Sequence, residues 1–146
     1  MPIRPRPNAL GAQRNSALSG DVLEAGGFKI AKCTYTFGTD AATGTVALTA
    51  KSLPVGATIV GGYLDVTTAL TGTGNAALQV QAANDIVSAT AISGAPWSTI
   101  SKTAIIPVWT FATWVTLATS AKQPSVVLTG TLTAGVFNLY LFWIEP

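Results

Sequence analysis

The sequence predicts an all-β fold: a β-sandwich or jelly-roll-like single domain over residues 28–146, preceded by an extended N-terminal arm over residues 1–27. Three observations carry this. Short stretches alternating apolar and polar residues recur at about ten-residue spacing, separated by Gly- and Pro-bearing turns. No helical period of useful length and no convincing repeat runs through the body. Only 10% of the 146 residues are charged, against about 25% in ordinary soluble domains, and the mean hydropathy is +0.46. Such a chain is solvated by a membrane or covered by other protein surfaces.

The arm opens "MPIRPRPNAL", with prolines at 2, 5 and 7 and no acid. Proline fixes φ and removes backbone donors, which favours extended, polyproline-like chain. The following "NALGAQRNSALSGDVLEA" supports at most a turn of helix on docking, because its glycines oppose a stable one. Gly26-Gly27 closes the segment. Arg4, Arg6 and Arg14 make the first 14 residues positive, while five lysines against six acids leave the residues after them nearly neutral. That is thin for a nucleic-acid tail, which carries denser basic blocks. Two readings stay open: a solvated tail, or an arm that orders against a partner protein.

From Phe28 the pattern turns to strands. "FKIAKCTYTF" alternates, with Ala31, Cys33, Tyr35 and Phe37 on one face, and "GTDAATG" follows as a loop. "TVALTA" sets Val46, Leu48 and Ala50 against Thr45, Ala47 and Thr49. "SLPVGA" is a turn. "TIVGGYLDVTTAL" sets Val60, Leu64 and Val66 against Tyr63, Asp65 and Thr67, and the glycine pair 61–62 predicts a bulge or a close backbone approach. "TGTGN" reads as a hairpin connection into "AALQVQA", where Leu78 and Val80 oppose Gln79 and Gln81. Ile86, Ser88, Thr90 and Ile92 mark a strand, a loop runs through Pro96, and residues 98–112 have no assigned partner. "TWVTLAT", "SVVLTGTL" and "GVFNLYLFWI" complete the strands. The last is apolar on both faces except at Asn138, which predicts cover on both sides.

Chemistry is sparse. With no histidine, the commonest general base and metal ligand are missing, and so are serine–histidine and cysteine–histidine arrangements. One cysteine excludes CxxC zinc sites and an internal disulfide, and Cys33 reads as a small buried hydrophobe. The six acids, Asp21, Glu24, Asp40, Asp65, Asp85 and Glu145, fall in no glycosidase-like pair. "TGTGNAA" lacks the third glycine, the lysine and the helix of a phosphate loop. The expectation is therefore no enzyme, no cofactor and no metal. Trp97, Trp109 and Trp114 read as core or interface anchors, or as a glycan-contact platform if exposed together.

No membrane partner is expected. The longest apolar stretch, "VFNLYLFWI", is about half of a spanning helix, and a β-barrel would need many alternating strands with aromatic girdles. No signal peptide is expected either, since arginines and prolines stand where an apolar h-region would be.

Three stretches, "LPVGATIVGGYLDVTTAL", "ALQVQAANDIVSATAIS" and "LTAGVFNLYLFWI", resemble small β-rich structural proteins of tailed-bacteriophage particles, described as head decoration, cement or fibre proteins. The resemblance spans roughly residues 30–144 and rests on strand and turn patterns. It implies a location on the virion capsid exterior, the major capsid protein as partner, and self-association as trimers or other small oligomers; the thin charge of the arm adds the expectation of no nucleic acid. On this reading Arg4, Arg6 and Arg14 belong to a capsid-docking arm. The rival expectation is a carbohydrate- or receptor-binding module of a virion fibre using exposed tryptophans.

Overall fold

The computed structural model describes residues 29–50, 52–106 and 120–145. Among them the chain forms eight strands and no helix: β1 (Lys29–Thr36), β2 (Gly44–Ala47), β3 (Thr58–Gly72), β4 (Asn75–Gln79), β5 (Val87–Ala91), β6 (Ser101–Ile105), β7 (Ser125–Leu128) and β8 (Leu132–Ile144). The first strand pairs with the last and the pairing continues inward: β1 with β8, β2 with β7, β3 with β6 and β4 with β5, all antiparallel. Rolling this long hairpin up adds the pairs β3–β8 and β4–β7. Two four-stranded sheets result, ordered β1-β8-β3-β6 and β2-β7-β4-β5. This is the strand order of an eight-stranded jelly roll, as the sequence pattern predicts.

Alternation along each strand sends one set of side chains between the sheets. Cys33 and Tyr35 of β1, Phe137, Leu139, Leu141 and Trp143 of β8, and Ile59, Leu64, Val66 and Leu70 of β3 meet Val46, Leu48, Ala76, Leu78, Val126 and Leu128 from the second sheet. Tyr35 stacks on Phe137 at 5.3 Å, and Trp97 meets the same ring edge-on at 5.7 Å. Each fully buried large side chain contributes about 1.5–3 kcal/mol.

The "TGTGN" stretch is a corner, which corrects the expectation of a hairpin. It carries the chain out of β3 in one sheet into β4 in the other. "SVVLTGTL", read as one strand, also breaks at a corner over residues 129–131, between β7 and β8. The two corners interlock. Thr73 N donates to Thr131 O at 3.1 Å, while Asn75 and Thr129 exchange bonds at 2.9 and 3.0 Å. A Cβ on Gly72 would fall on the Thr131 carbonyl oxygen, and one on Gly130 on the Thr73 carbonyl oxygen. Gly72 and Gly74 also hold φ at +140° and +87°, a region other residues rarely adopt.

The glycine pair 61–62 proves to be both a bulge and a close approach. Ile59 pairs with Trp143 and Gly61 with Phe142, so Val60 is the extra residue. The bulge shifts the alternation, which is why Ile59 is buried and Val60 is not, against the expected inward Val60. At Gly62 the backbone of Tyr140 lies where a side chain would be. The segment left without a partner contains β6, which closes the sheet beside β3. The expected strand "TWVTLAT" and the 1–27 arm lie outside the described residues.

Adjacent glycines therefore carry opposite expectations. Gly62→Ala sets a Cβ onto the Tyr140 carbonyl and should cost about 3 kcal/mol or more, the upper range for overpacking. Gly61→Ala meets only atoms at 3.9 and 4.0 Å, and should change stability by less than about 1 kcal/mol. Denaturant midpoints of the two variants check this.

Candidate interaction surfaces

Arg4, Arg6, Arg14, Trp109 and Trp114 lie outside the described residues. Trp97 has no exposed surface. The turn at Gly94 holds it, with Trp97 N donating to Gly94 O at 3.1 Å and Trp97 O accepting from Leu70 N at 2.9 Å. Its indole Nε1 donates to Thr90 Oγ1 at 2.8 Å. A buried indole with its polar atom satisfied is a core anchor. A glycan-contact platform that includes Trp97 does not form, because neither face of that ring reaches solvent.

Three of the four described acids hold structural roles. Asp40 accepts from Thr36 N at 2.7 Å. Asp85, 9% exposed, accepts from the backbone N–H groups of Val80, Gln81 and Ala82 at 2.8, 2.9 and 2.8 Å. That loop turns through Asn84 at φ +60°. The "AND" triplet carried this signal, since Asn and Asp favour such turns. Glu145 pairs with Lys29 at the exposed end of β1. Asp65 faces outward, between Asn138 and Lys102 in the sheet register. Among the described residues no group of His, Cys, Asp or Glu is arranged to hold a metal ion. No helix among them is long and apolar enough to cross a membrane.

A cleft of about 240 Å³ opens between β5 and β6. It falls below the size of ordinary ligand sites, and its side chains are apolar apart from Ser88 and Thr103. Cys33 is buried, and its burial pushes the thiol up to about 12.

The distinctive surface is the outer face of the β1-β8-β3-β6 sheet. Cross-strand partners share a face, so the register places Ile30, Phe142 and Gly61 in one outward row and Lys32, Tyr140, Tyr63 and Ala104 in the next. Tyr63 stacks on Tyr140 with centroids 4.4 Å apart, and Phe142 meets Tyr63 edge-on at 6.2 Å. Lys32 Nζ lies 5.9 Å from the Tyr140 ring. Beyond these rows the face becomes polar, where Thr34 Oγ1 donates to Asn138 Oδ1 at 2.9 Å. Aromatic and aliphatic side chains thus gather at the end of the sheet where β1 begins. On β8 the inward side chains are buried while the outward Asn138, Tyr140 and Phe142 are half-buried, so the described residues do not supply the cover expected on the second side.

No protein-family model matches the chain, and no curated protein sequence matches it. A solved structure does. The fold resembles that of a chain in the "Cyanophage Pam1 capsid asymmetric unit". The match has a TM-score of 0.58 and 17% identity, and covers 83% of this chain and 86% of that one. At that identity it establishes a common fold.

Two outcomes follow from the buried polar groups. Asp85→Ala strands three backbone donors and should cost about 1–3 kcal/mol, seen as a lower denaturant midpoint. Cys33 should stay unreactive to thiol reagents at pH 8 until the protein unfolds. Its folded pKa, about 12, stands above its ordinary 9.0. The unfolded chain therefore releases that proton first, and stability falls as pH rises from about 9 to 12, by about 1.4 kcal/mol per pH unit. Burial, with Asp40 nearby, also raises Tyr35, which acts in the same direction. Urea titrations at pH 8, 9.5 and 11 test the sign.

Proposed function

We propose that the chain is a non-enzymatic virion structural protein. In this reading it is a capsid decoration or cement protein that binds the outside of a phage head shell and stabilises it. The major capsid protein and further copies of this chain are its partners, with a trimer as the assembly unit. The observation that carries the reading is the jelly roll shared, over most of both chains, with a component of a phage capsid asymmetric unit.

The chemistry supports it. A shell protein needs a rigid scaffold and wide contact surfaces of low charge, and no active site. The body is nearly neutral, three of its four described acids are engaged in turns or an ion pair, and the cleft between β5 and β6 offers little polar functionality. The arm adds reach, since twenty extended residues span about 65 Å, and its prolines lower the entropy lost on fixing it. The rival reading, a carbohydrate- or receptor-binding fibre module, loses Trp97 from its platform.

Co-sedimentation with undecorated phage heads tests the proposal. The full chain should pellet with shells. A chain lacking residues 1–27 should pellet poorly, because the arm acts as a second tethered contact. Changing Arg4, Arg6 and Arg14 together to Ala should weaken binding less and flatten its salt dependence, since exposed charges contribute modestly and are screened. Truncated protein that pellets as well as the full chain would overturn the docking role of the arm.

A further inference from the structure

We propose that the aromatic end of the outer sheet face is a docking site for the proline-rich segment "MPIRPRP" of a neighbouring copy of this chain. The inference rests on the reading above only in taking copies to be neighbours in an assembly.

The first argument is the surface itself. Tyr63, Tyr140 and Phe142 form a cluster of rings on a face that points away from the core. Ile30, 66% exposed, stands opposite Phe142 at its border. Gly61 stands in the same row as Phe142 and has no side chain, so the flank of the Phe142 ring on that side is left open. A half-buried cluster of rings beside an exposed isoleucine costs free energy while open to water.

The second argument is the occupant. Aromatic-lined grooves recognise proline-rich extended segments, whose preformed backbone loses little entropy on binding. The sequence contains one such segment. Pro2 and Pro5 are three residues apart, one turn of a polyproline helix, so their rings share an edge that can seat against the aromatic cluster. Arg4 and Arg6 alternate with them and can lie over tyrosine faces, as Lys32 already lies over Tyr140. Asp65, the next outward position along β3 after Tyr63, supplies a carboxylate on the same face.

The third argument is placement. The chain enters the sheet at Lys29, which pairs with Trp143 beside the aromatic end. The 28 residues before it therefore start from the rim of one patch and have ample length to reach the next. Each copy gives one arm and receives another. Such a heterologous contact closes into a ring when the rotation permits, which suits a small cyclic oligomer.

The test uses the full chain in solution and needs no shells. A photo-reactive benzoylphenylalanine replaces Ile3 in an unlabelled copy, which is mixed at micromolar concentration with a nitrogen-15-labelled chain. After irradiation, mass spectrometry should find the unlabelled arm joined to labelled peptides carrying Tyr63 or Tyr140–Phe142. Tyr63→Ser with Phe142→Ser in the labelled chain should cut the yield about tenfold. Pro2→Ala with Pro5→Ala in the arm should also lower it, and leaves the body unchanged should the aromatic variant fold poorly. Cross-links confined to the arm's own chain would overturn the neighbour as partner. Cross-links elsewhere on the body, or a yield indifferent to the arm prolines, would overturn the site. A protein that cross-links as expected and still fails to pellet with shells would count against the decoration role and leave this site standing.

Discussion

The fold depends on one antiparallel ribbon that must bend twice in the same place. Residues 58–79 pair with residues 144–125 almost without interruption, first as β3 with β8 and then as β4 with β7. A ribbon of that length cannot stay flat and also bury one face against itself. It folds at the two corners, where Thr73–Gly74 lies against Thr129–Thr131. Backbone meets backbone there with no room for Cβ atoms, so glycine is required by contact as well as by φ. Everything else is laid on this ribbon: β1 and β6 flank its first half, β2 and β5 its second.

That geometry explains the uneven legibility of the sequence. Alternation revealed β1 and β8 because their inward residues, Cys33, Tyr35, Phe137, Leu139, Leu141 and Trp143, keep strict period two. It misled at Val60, where one bulged residue reverses the phase. The corners were unreadable as corners, because "TGTGN" has the composition of a hairpin and only the partner strand tells them apart. β6 was missed since "SKTAI" carries one inward large apolar residue, Ile105, and its edge position leaves the rest exposed. Trp97 illustrates the same limit at the level of the site. Composition allowed both a core and a surface role, and the turn at Gly94 with the Thr90 hydroxyl decides for the core. The Asp85 loop was present in the letters but carried no chemistry to single it out.

Low charge has a structural counterpart in the outer sheet face. A small sandwich has two inner faces to fill, and the four-stranded sheet containing β8 could have exposed a polar outer face as many antiparallel sheets do. Its threonine half does so, with cross-strand bonds such as Thr71 to Thr133 at 2.9 Å. Its aromatic half does not. Tyr63, Tyr140 and Phe142 shield one another only partly, so this half of the face keeps apolar surface beside Ile30.

How copies could meet is narrowed further by the sheet edges. Open edges recruit other strands unless something blocks them. β1 carries Lys29 and Lys32, and Thr34 already exchanges backbone bonds with Thr49 across its free side. β2 has four residues. β5 holds an extra residue between its pairings with Ala76 and Leu78, and the bulge twists that edge. β6 presents Lys102. With each edge guarded in its own way, addition of a strand is the least favoured route to assembly. Faces remain, and on the β1-β8-β3-β6 sheet the half carrying Tyr63, Tyr140 and Phe142 is the one where rings, and not threonines, meet solvent.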